Sequence, residues 1–310
     1  MPSMAISERP RILVGTLYCG ENEFSALRQS LTEQSYSRWE HVVFENLPNK
    51  EAHDRLYQTF MDEQDCFDLF LKLDADMVFR SDEGLRRIVE VFDGNAELDH
   101  LTLAVQDWYS DSLIEGLHTF SDRASWPVRS DSRFVDASPA VPGERLKLWD
   151  HPAPVVDHSP NPSPGQAFRF GAHRALKVVQ PERWSMRYGQ TQGQWRILKR
   201  CWRHFVAERD RRLGLAVLGA NLTLDDELEP DYYDKAHESL QSVFQQYQGI
   251  SAGRLYENLA SRWESEIRRE LWYLQAVGIT RLFASALLNV PYWLKGKIAS
   301  DENSVGFLVR

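Results

Sequence analysis

Residues 71–79 read LKLDADMVF, an apolar stretch carrying two carboxylates, Asp74 and Asp76, one residue apart. Charges rarely stand unpaired in such a run, because an unpartnered buried charge is costly. If the chain stays extended there, the period of two turns both side chains the same way. Paired oxygen donors suit Mg²⁺ or Mn²⁺, ions that usually share their coordination with a substrate's phosphates. Lys72, two positions earlier, projects to the same side and suits either a phosphate or an ion pair at the strand end. The plainer reading is a strand that ends in polar residues, with Asp76 opening the next turn. A second group lies in QDWYSD, where Asp107, Trp108, Tyr109 and Asp111 combine acids with aromatic rings. That mixture suits sugars, which present both CH faces and hydroxyls.

The elements that position these groups read as an α/β domain. Residues 11–18 (RILVGTLY) form an apolar strand, followed by helical periodicity through Phe24, Leu27 and Leu31. Residues 40–45 give a second strand, 51–63 a helix, and 67–73 a third strand ending at the aspartates. Ser81-Asp82 is placed to cap a helix over 82–92, with Leu85, Ile88, Val89 and Phe92 as its apolar stripe. Residues 100–105 form a fourth strand. This alternation predicts a mainly parallel sheet flanked by helices. Ligands of such sheets bind at the carboxyl ends of strands, where Asp74 and Asp76 lie. From 107 to 165 the pattern breaks into prolines and polar residues, with strand-like stretches only near 146–149 and 154–156. Residues 168–179 read as a helix and 195–218 as one basic helix; after a turn at 224–230 the chain is largely helical to about 299. The expected division is a catalytic domain at 10–180 and a helical C-terminal region at 181–310.

The 310 residues are 43% hydrophobic, enough for at least one sizeable core. The net charge of −9, with no long basic block, argues against a nucleic-acid partner. Cys19, Cys66 and Cys201 are scattered and form neither a disulfide framework nor a CxxC pattern, which fits a reducing, cytoplasmic setting. The N-terminal MPSMAISERP lacks the apolar core of a signal peptide, and no run approaches the roughly 20 apolar residues of a membrane span. Residues 271–297 are aromatic and apolar with a basic end. They suit peripheral membrane contact near a lipid-linked acceptor, or packing on the catalytic domain or a second subunit.

The stretch LTEQSYSRWEHVVFEN (31–46) resembles the first half of family 2 glycosyltransferases of the GT-A fold. Members show a helix ending in Q-[ST]-Y (here Gln34-Ser35-Tyr36), a Trp-Glu pair (Trp39-Glu40), an apolar strand, then nucleotide-holding residues (Glu45-Asn46). LVGTLY sits where the family carries its first base-binding segment, and Asp74-Ala75-Asp76 where it carries its metal-binding D-x-D. KLWDHPAPVVDHSP (147–160) resembles the strand pair that ends in a histidine near the metal. The resemblance covers residues 10–178. It implies a Rossmann-like domain that moves a sugar, with inversion, from a nucleotide-diphosphate donor to a carbohydrate or glycolipid hydroxyl. A UDP-sugar is the first expectation for the donor, and Mn²⁺ or Mg²⁺ for the metal. The implied metal ligands are Asp74, Asp76 and His158. Thr16, Tyr18, Glu21, Glu45 and Asn46 would meet the base and ribose, with Asp74 alongside. Lys72, Arg169, His173 and Arg174 would meet the diphosphate. The general base is an acid upstream of the metal histidine, which matches Asp136 in SRFVDAS first and Asp131 second. The spacing from Asn46 to Asp74 is shorter than the family commonly uses, and its Asn-Gly segment is missing, so the donor nucleotide is not fixed.

Two other readings compete. LFLKLDADMV also meets the signature of haloacid-dehalogenase-type phosphatases, with Asp74 as nucleophile, Asp76 as acid/base, Mg²⁺, and Asp225-Asp226 as the later acidic pair. The third is a nucleotide-sugar-binding module without catalysis.

Overall fold

A computed structural model of the chain describes residues 10–127, 139–148, 154–179, 188–225 and 240–269. Asp131, Asp136 and the stretch 271–297 lie outside the described residues. The chain divides into two compact units, residues 1–256 and 257–310.

The first unit is built on one sheet. Its strands are β1 (Ile12–Tyr18), β2 (Trp39–Glu45), β3 (Leu69–Lys72), β4 (Met77–Phe79), β5 (Leu98–Asp107), β6 (Ser112–Ser121), β7 (Glu144–Leu148) and β8 (Val156–His158). They lie in the order β2-β1-β3-β6-β5-β8-β4, with β7 also paired to β5. Among the described residues four of the seven strand pairings are parallel, so the expected mainly parallel, Rossmann-like α/β sheet is present, with a substantial antiparallel part. Alternation along the inner strands divides the core. Ile12, Val14, Leu69 and Leu71 face α1 (Phe24–Thr32) and α3 (Gly84–Asp93) through Leu27, Leu31, Leu85 and Ile88. Leu13 and Phe70 face the other way, toward Leu56, Tyr57 and Phe60 of α2 (Asn49–Asp62). Burial on both faces is why β1 and β3 are nearly continuous apolar runs.

Three expectations are corrected. Residues 112–121 are not loop but the long strand β6, inserted antiparallel between β3 and β5. Its register against β5 shifts between Leu103 and Ala104, so Gly116 is an extra residue. That bulge throws the period of two out of phase in the middle of the strand. Ser81-Asp82 does not cap α3: Gln34 does so from across the fold, its Oε1 accepting the Leu85 N–H at 2.9 Å while its Nε2 donates to the Ser81 carbonyl at 2.8 Å. The single basic helix is two, α5 (Tyr188–Glu208) and α6 (Arg211–Leu224). Arg209 breaks it with φ 56°, and Asp210 caps α6 by accepting the Arg212 N–H at 2.8 Å. α4 (Pro164–Val179) packs along α6 and α5.

Two histidines hold their uncharged form in this fold. Burial, then Arg28, lowers His41 to about 4. Burial, then His118, Arg145 and Lys147, lowers His100 to about 3. The unfolded chain titrates both near 6.5. Below that pH it takes up protons the folded chain refuses, so stability falls as pH drops from about 6.5 toward 4. A His41→Gln/His100→Gln double variant should therefore lose less stability than wild type between pH 7.5 and pH 5 in urea titrations. An equal loss in the double variant would refute this account.

Candidate functional site

β1, β2 and β3 run parallel, and β5 runs with them because β6 is antiparallel to both β3 and β5. β8 is parallel to β5. The carboxyl ends of these five strands therefore share one edge of the sheet, and β4 starts there. Tyr18, Glu45, Lys72, Asp107 and His158 are the last residues of their strands. Asp74 and Asp76 link β3 to β4 at the same edge, which is where open α/β sheets bind ligands.

The two aspartates meet different partners. The chain turns at Ala75 and Asp76, and the Met77 N–H donates to the Asp74 carbonyl at 2.9 Å. This replaces the extended conformation that would have aligned them. Asp74 Oδ1 is met by the buried Lys72 ammonium at 2.5 Å. Asp76 instead turns toward β8, where its Oδ2 accepts the Ser159 hydroxyl at 2.5 Å and lies 3.4 Å from His158 Nε2.

His158 is held from behind. Its Nδ1 lies 2.7 Å from Oδ1 of Asp107, which is fully buried. The other Asp107 oxygen accepts the Ser110 N–H at 2.8 Å and the Ser110 hydroxyl at 2.5 Å. Burial alone would raise the Asp107 carboxyl, but the hydrogen bond and charge of His158, with Ser110, hold it low. Burial likewise opposes a charge on His158, and the negative charges of Asp76 and Asp107 overcome it, raising the imidazole to about 9. The two carboxylates thus favour a proton on the imidazole, which a metal ion bound at Nε2 would displace. A histidine whose far nitrogen is fixed by a buried carboxylate is the arrangement that orients imidazole ligands of metals. Among the described residues no three His, Cys, Asp or Glu side chains are grouped to hold a metal ion. Of the expected set Asp74, Asp76 and His158, Asp76 and His158 lie 3.4 Å apart, and Asp74 is paired with Lys72.

The remaining candidates separate by placement. Thr16 is buried, its hydroxyl donating to the Leu73 carbonyl at 2.8 Å and lying 3.0 Å from His41 Nε2, so it ties strands together. Tyr18 is half-buried and stacks on Phe24 at 4.1 Å. Glu21 folds back onto Cys19, accepting its N–H at 2.7 Å and its thiol at 3.0 Å. Glu45 and Asn46 are exposed at the end of β2. Arg169 on α4 is near enough to act electrostatically on Cys19. His173 and Arg174 lie further along α4, and Arg174 packs over Phe170 at 4.9 Å and donates to Gln194 at 3.1 Å. Asp107 and Tyr109, expected to face a sugar, are both fully buried. Trp108 keeps partial exposure, with the Arg212 guanidinium 4.5 Å from its ring centre. For the phosphatase alternative, Asp225 sits at the end of α6, accepting from Asn221 at 2.9 Å, and the D-x-D follows the third strand in the chain.

The sequence reading missed Glu23, Ser159 and Gln166. Glu23 is buried, and burial, with the charge of Asp76 adding to it, raises its carboxyl against the hydrogen bond from Gln166. A glutamate followed by the apolar positions of α1 reads as an ordinary helix start, which hides such a role.

No protein-family profile and no curated protein matches the sequence. Among solved structures, a mannosyltransferase from Pyrobaculum calidifontis in complex with GDP-Man and Mn²⁺ is similar at 12% identity and a TM-score of 0.34, over 80% of this chain and 86% of that one. A likeness of that size adds no weight to any functional reading.

Proposed function

We propose that the protein is a metal-dependent glycosyltransferase. It would move a sugar from a nucleotide-diphosphate donor, a UDP-sugar first, to a hydroxyl of a carbohydrate or glycolipid acceptor. What carries this reading is the meeting of Asp76 and His158 at the carboxyl edge of the sheet, with His158 oriented by buried Asp107. The sequence resemblance across residues 10–178 adds to it. Asp76 and His158 would hold Mn²⁺ or Mg²⁺, their carboxylate and imidazole donors being of the right type. Bound there, the ion would supply electrostatic stabilisation of the leaving diphosphate.

The chain's own residues do the rest. Lys72 holds Asp74 in place at the strand end and adds positive charge beside the donor's phosphates. Arg169 brings a second cation from α4. Tyr18, Glu21, Glu45 and Asn46, at the ends of β1 and β2, would receive the base and ribose. Asp136, or in second place Asp131, would take the proton from the acceptor hydroxyl as it attacks, which is general-base work. Residues 10–180 would form the donor-binding and catalytic domain, with 181–310 as its helical extension.

The test is thermal unfolding with UDP-, GDP- and CMP-sugars, each with and without Mn²⁺. One nucleotide sugar should stabilise the protein by about 2.7 kcal/mol at a hundred times its Kd, only when Mn²⁺ is present. Asp76→Ala should abolish that gain. No stabilisation by any of the sugars, or the same gain in Asp76→Ala, would sink the reading.

A further inference from the structure

Glu23 occupies the N-cap position of α1, yet its side chain makes no capping hydrogen bond. An acidic side chain as short as aspartate at that position ordinarily accepts from the first helical N–H groups. Glu23 is 3% exposed and reaches across the sheet edge instead. Its Oε1 accepts the Asn161 N–H at 3.0 Å, and its Oε2 accepts from Gln166 Nε2 at 2.8 Å.

The segment it grips is the one that presents Ser159 to Asp76. Asn161 is held at three polar groups: its N–H by Glu23, its carbonyl by Asn22 Nδ2 at 2.8 Å, and its side-chain oxygen by Arg212 at 3.1 Å. Two residues earlier, Ser159 adopts φ 49°, a left-handed conformation that a serine takes only when its surroundings enforce it. In that conformation its N–H donates to the Asp76 carbonyl at 2.7 Å and its hydroxyl to Asp76 Oδ2 at 2.5 Å. On the other side, the His158 carbonyl accepts the Trp108 N–H at 3.1 Å. The strained turn between His158 and Asn161 therefore sets where the Asp76 carboxylate points relative to His158. Releasing Asn161 would let Ser159 relax and take its hydroxyl away from Asp76.

We propose that Glu23 is a positioning residue for the Asp76–His158 pair, acting through the turn Ser159–Asn161 and not on any ligand. Its link to catalysis rests on the function proposed above; its link to the turn does not. Hydrogen-bond polarity gives a clean way to test it. In Glu23→Gln, the new amide faces the Gln166 amide donor to donor. Turning Gln166 over only moves the conflict to the Asn22 N–H, which Gln166 Oε1 accepts at 3.1 Å. The exchanged pair Glu23→Gln/Gln166→Glu restores every bond: Gln at 23 donates to Glu at 166 and still accepts from Asn161, while Glu at 166 accepts from Asn22. Geometry returns, but the charge has moved to the other residue.

Amide hydrogen exchange in the unliganded protein should be about tenfold faster at Ser159 and Asn161 in Glu23→Gln and return to the wild-type rate in the exchanged pair. The imidazole nitrogen shifts of His158 should move and return in parallel. The Mn²⁺-dependent stabilisation by nucleotide sugar should follow the same order, lost in the single variant and regained in the pair. Unchanged exchange in Glu23→Gln would overturn the proposal. So would a pair that regains the exchange rates but not the ligand response, since Glu23 would then act through its own charge. If the wild-type protein responds to no nucleotide sugar, the function proposed above fails, and the exchange rates and His158 shifts alone decide whether Glu23 holds the pair.

Discussion

Asp107→Ala should destabilise the protein by about 3–5 kcal/mol, the cost of breaking a buried charged pair from one side. The carboxylate is fully buried and both its oxygens are in use, so no solvent waits to replace it. Its removal strands the Ser110 N–H and the donor at His158 Nδ1, while the Ser110 hydroxyl can turn to Ser112 Oγ at 2.8 Å. Asp107→Asn should cost less. Its side-chain oxygen can still accept from His158, leaving the new amide opposed to the Ser110 donors, a conflict worth about 1–3 kcal/mol. Urea titration measures both values, and a loss below about 1 kcal/mol in Asp107→Ala would contradict the buried triad of Ser110, Asp107 and His158. The same residue orients the imidazole, so Mn²⁺ affinity of Asp107→Asn should fall about 10–100-fold. Asp76→Ala should show the reverse profile. Asp76 keeps some solvent exposure, and a water can replace it at Ser159. Its loss should abolish the metal response at little cost in stability. In the sequence the two aspartates differ only as candidates, Asp76 for a metal and Asp107 for a sugar. Their difference in burial gives them different work.

How far each feature could be read in advance depended on whether its cause was local. β1 and β3 were legible because burial on both faces writes itself into consecutive apolar residues, as in Leu69–Lys72. α1 and α2 declared themselves by periodicity, because burial on one side of a helix repeats with its turn. β6 was hidden because Gly116 sits at a bulge and because Glu115 and His118 break the apolar run. The break between α5 and α6 left a small local mark, the N-cap Asp210, inside a pattern whose apolar spacing continues through it. Gln34 was noticed as part of Gln34-Ser35-Tyr36, but its task, capping α3, depends on a helix far along the chain. The site divides in the same way. Asp76 stood out as a charge within an apolar stretch, and His158 through a family resemblance. Asp107 was noticed as a sugar candidate in QDWYSD, but its hold on His158, like the grip of Glu23 on Asn161 and Gln166, depends on partners distant in sequence.

Gly171→Ala should destabilise the protein by about 2 kcal/mol, against the usual sign of that substitution in a helix. Replacing glycine by alanine inside an exposed helix gains up to about 1 kcal/mol in propensity. At Gly171, however, a methyl group would overlap the Ala216 carbonyl of α6 and come within 3.0 Å of the Ala220 nitrogen. Gly219 meets the Phe168 carbonyl of α4 in the reciprocal way. These obstacles are backbone atoms of a packed helix and cannot rotate aside, so the overpacking cost lies at the upper end of about 1–3 kcal/mol and exceeds the propensity gain. A methyl group added at Gly193 of α5 would meet nothing within 4 Å, so Gly193→Ala should stabilise by up to about 1 kcal/mol. The opposite signs of one chemical change at two helical positions separate close packing from propensity. α4 also carries Gln166 and Arg169 toward the Asp76 edge. Forcing it off α6 should therefore weaken the Mn²⁺-dependent stabilisation by nucleotide sugar along with the fold, whereas Gly193→Ala should leave it unchanged. Equal urea midpoints for Gly171→Ala and wild type would mean that the two helices are free to separate, and that α4 does not depend on α6 for its place at the site.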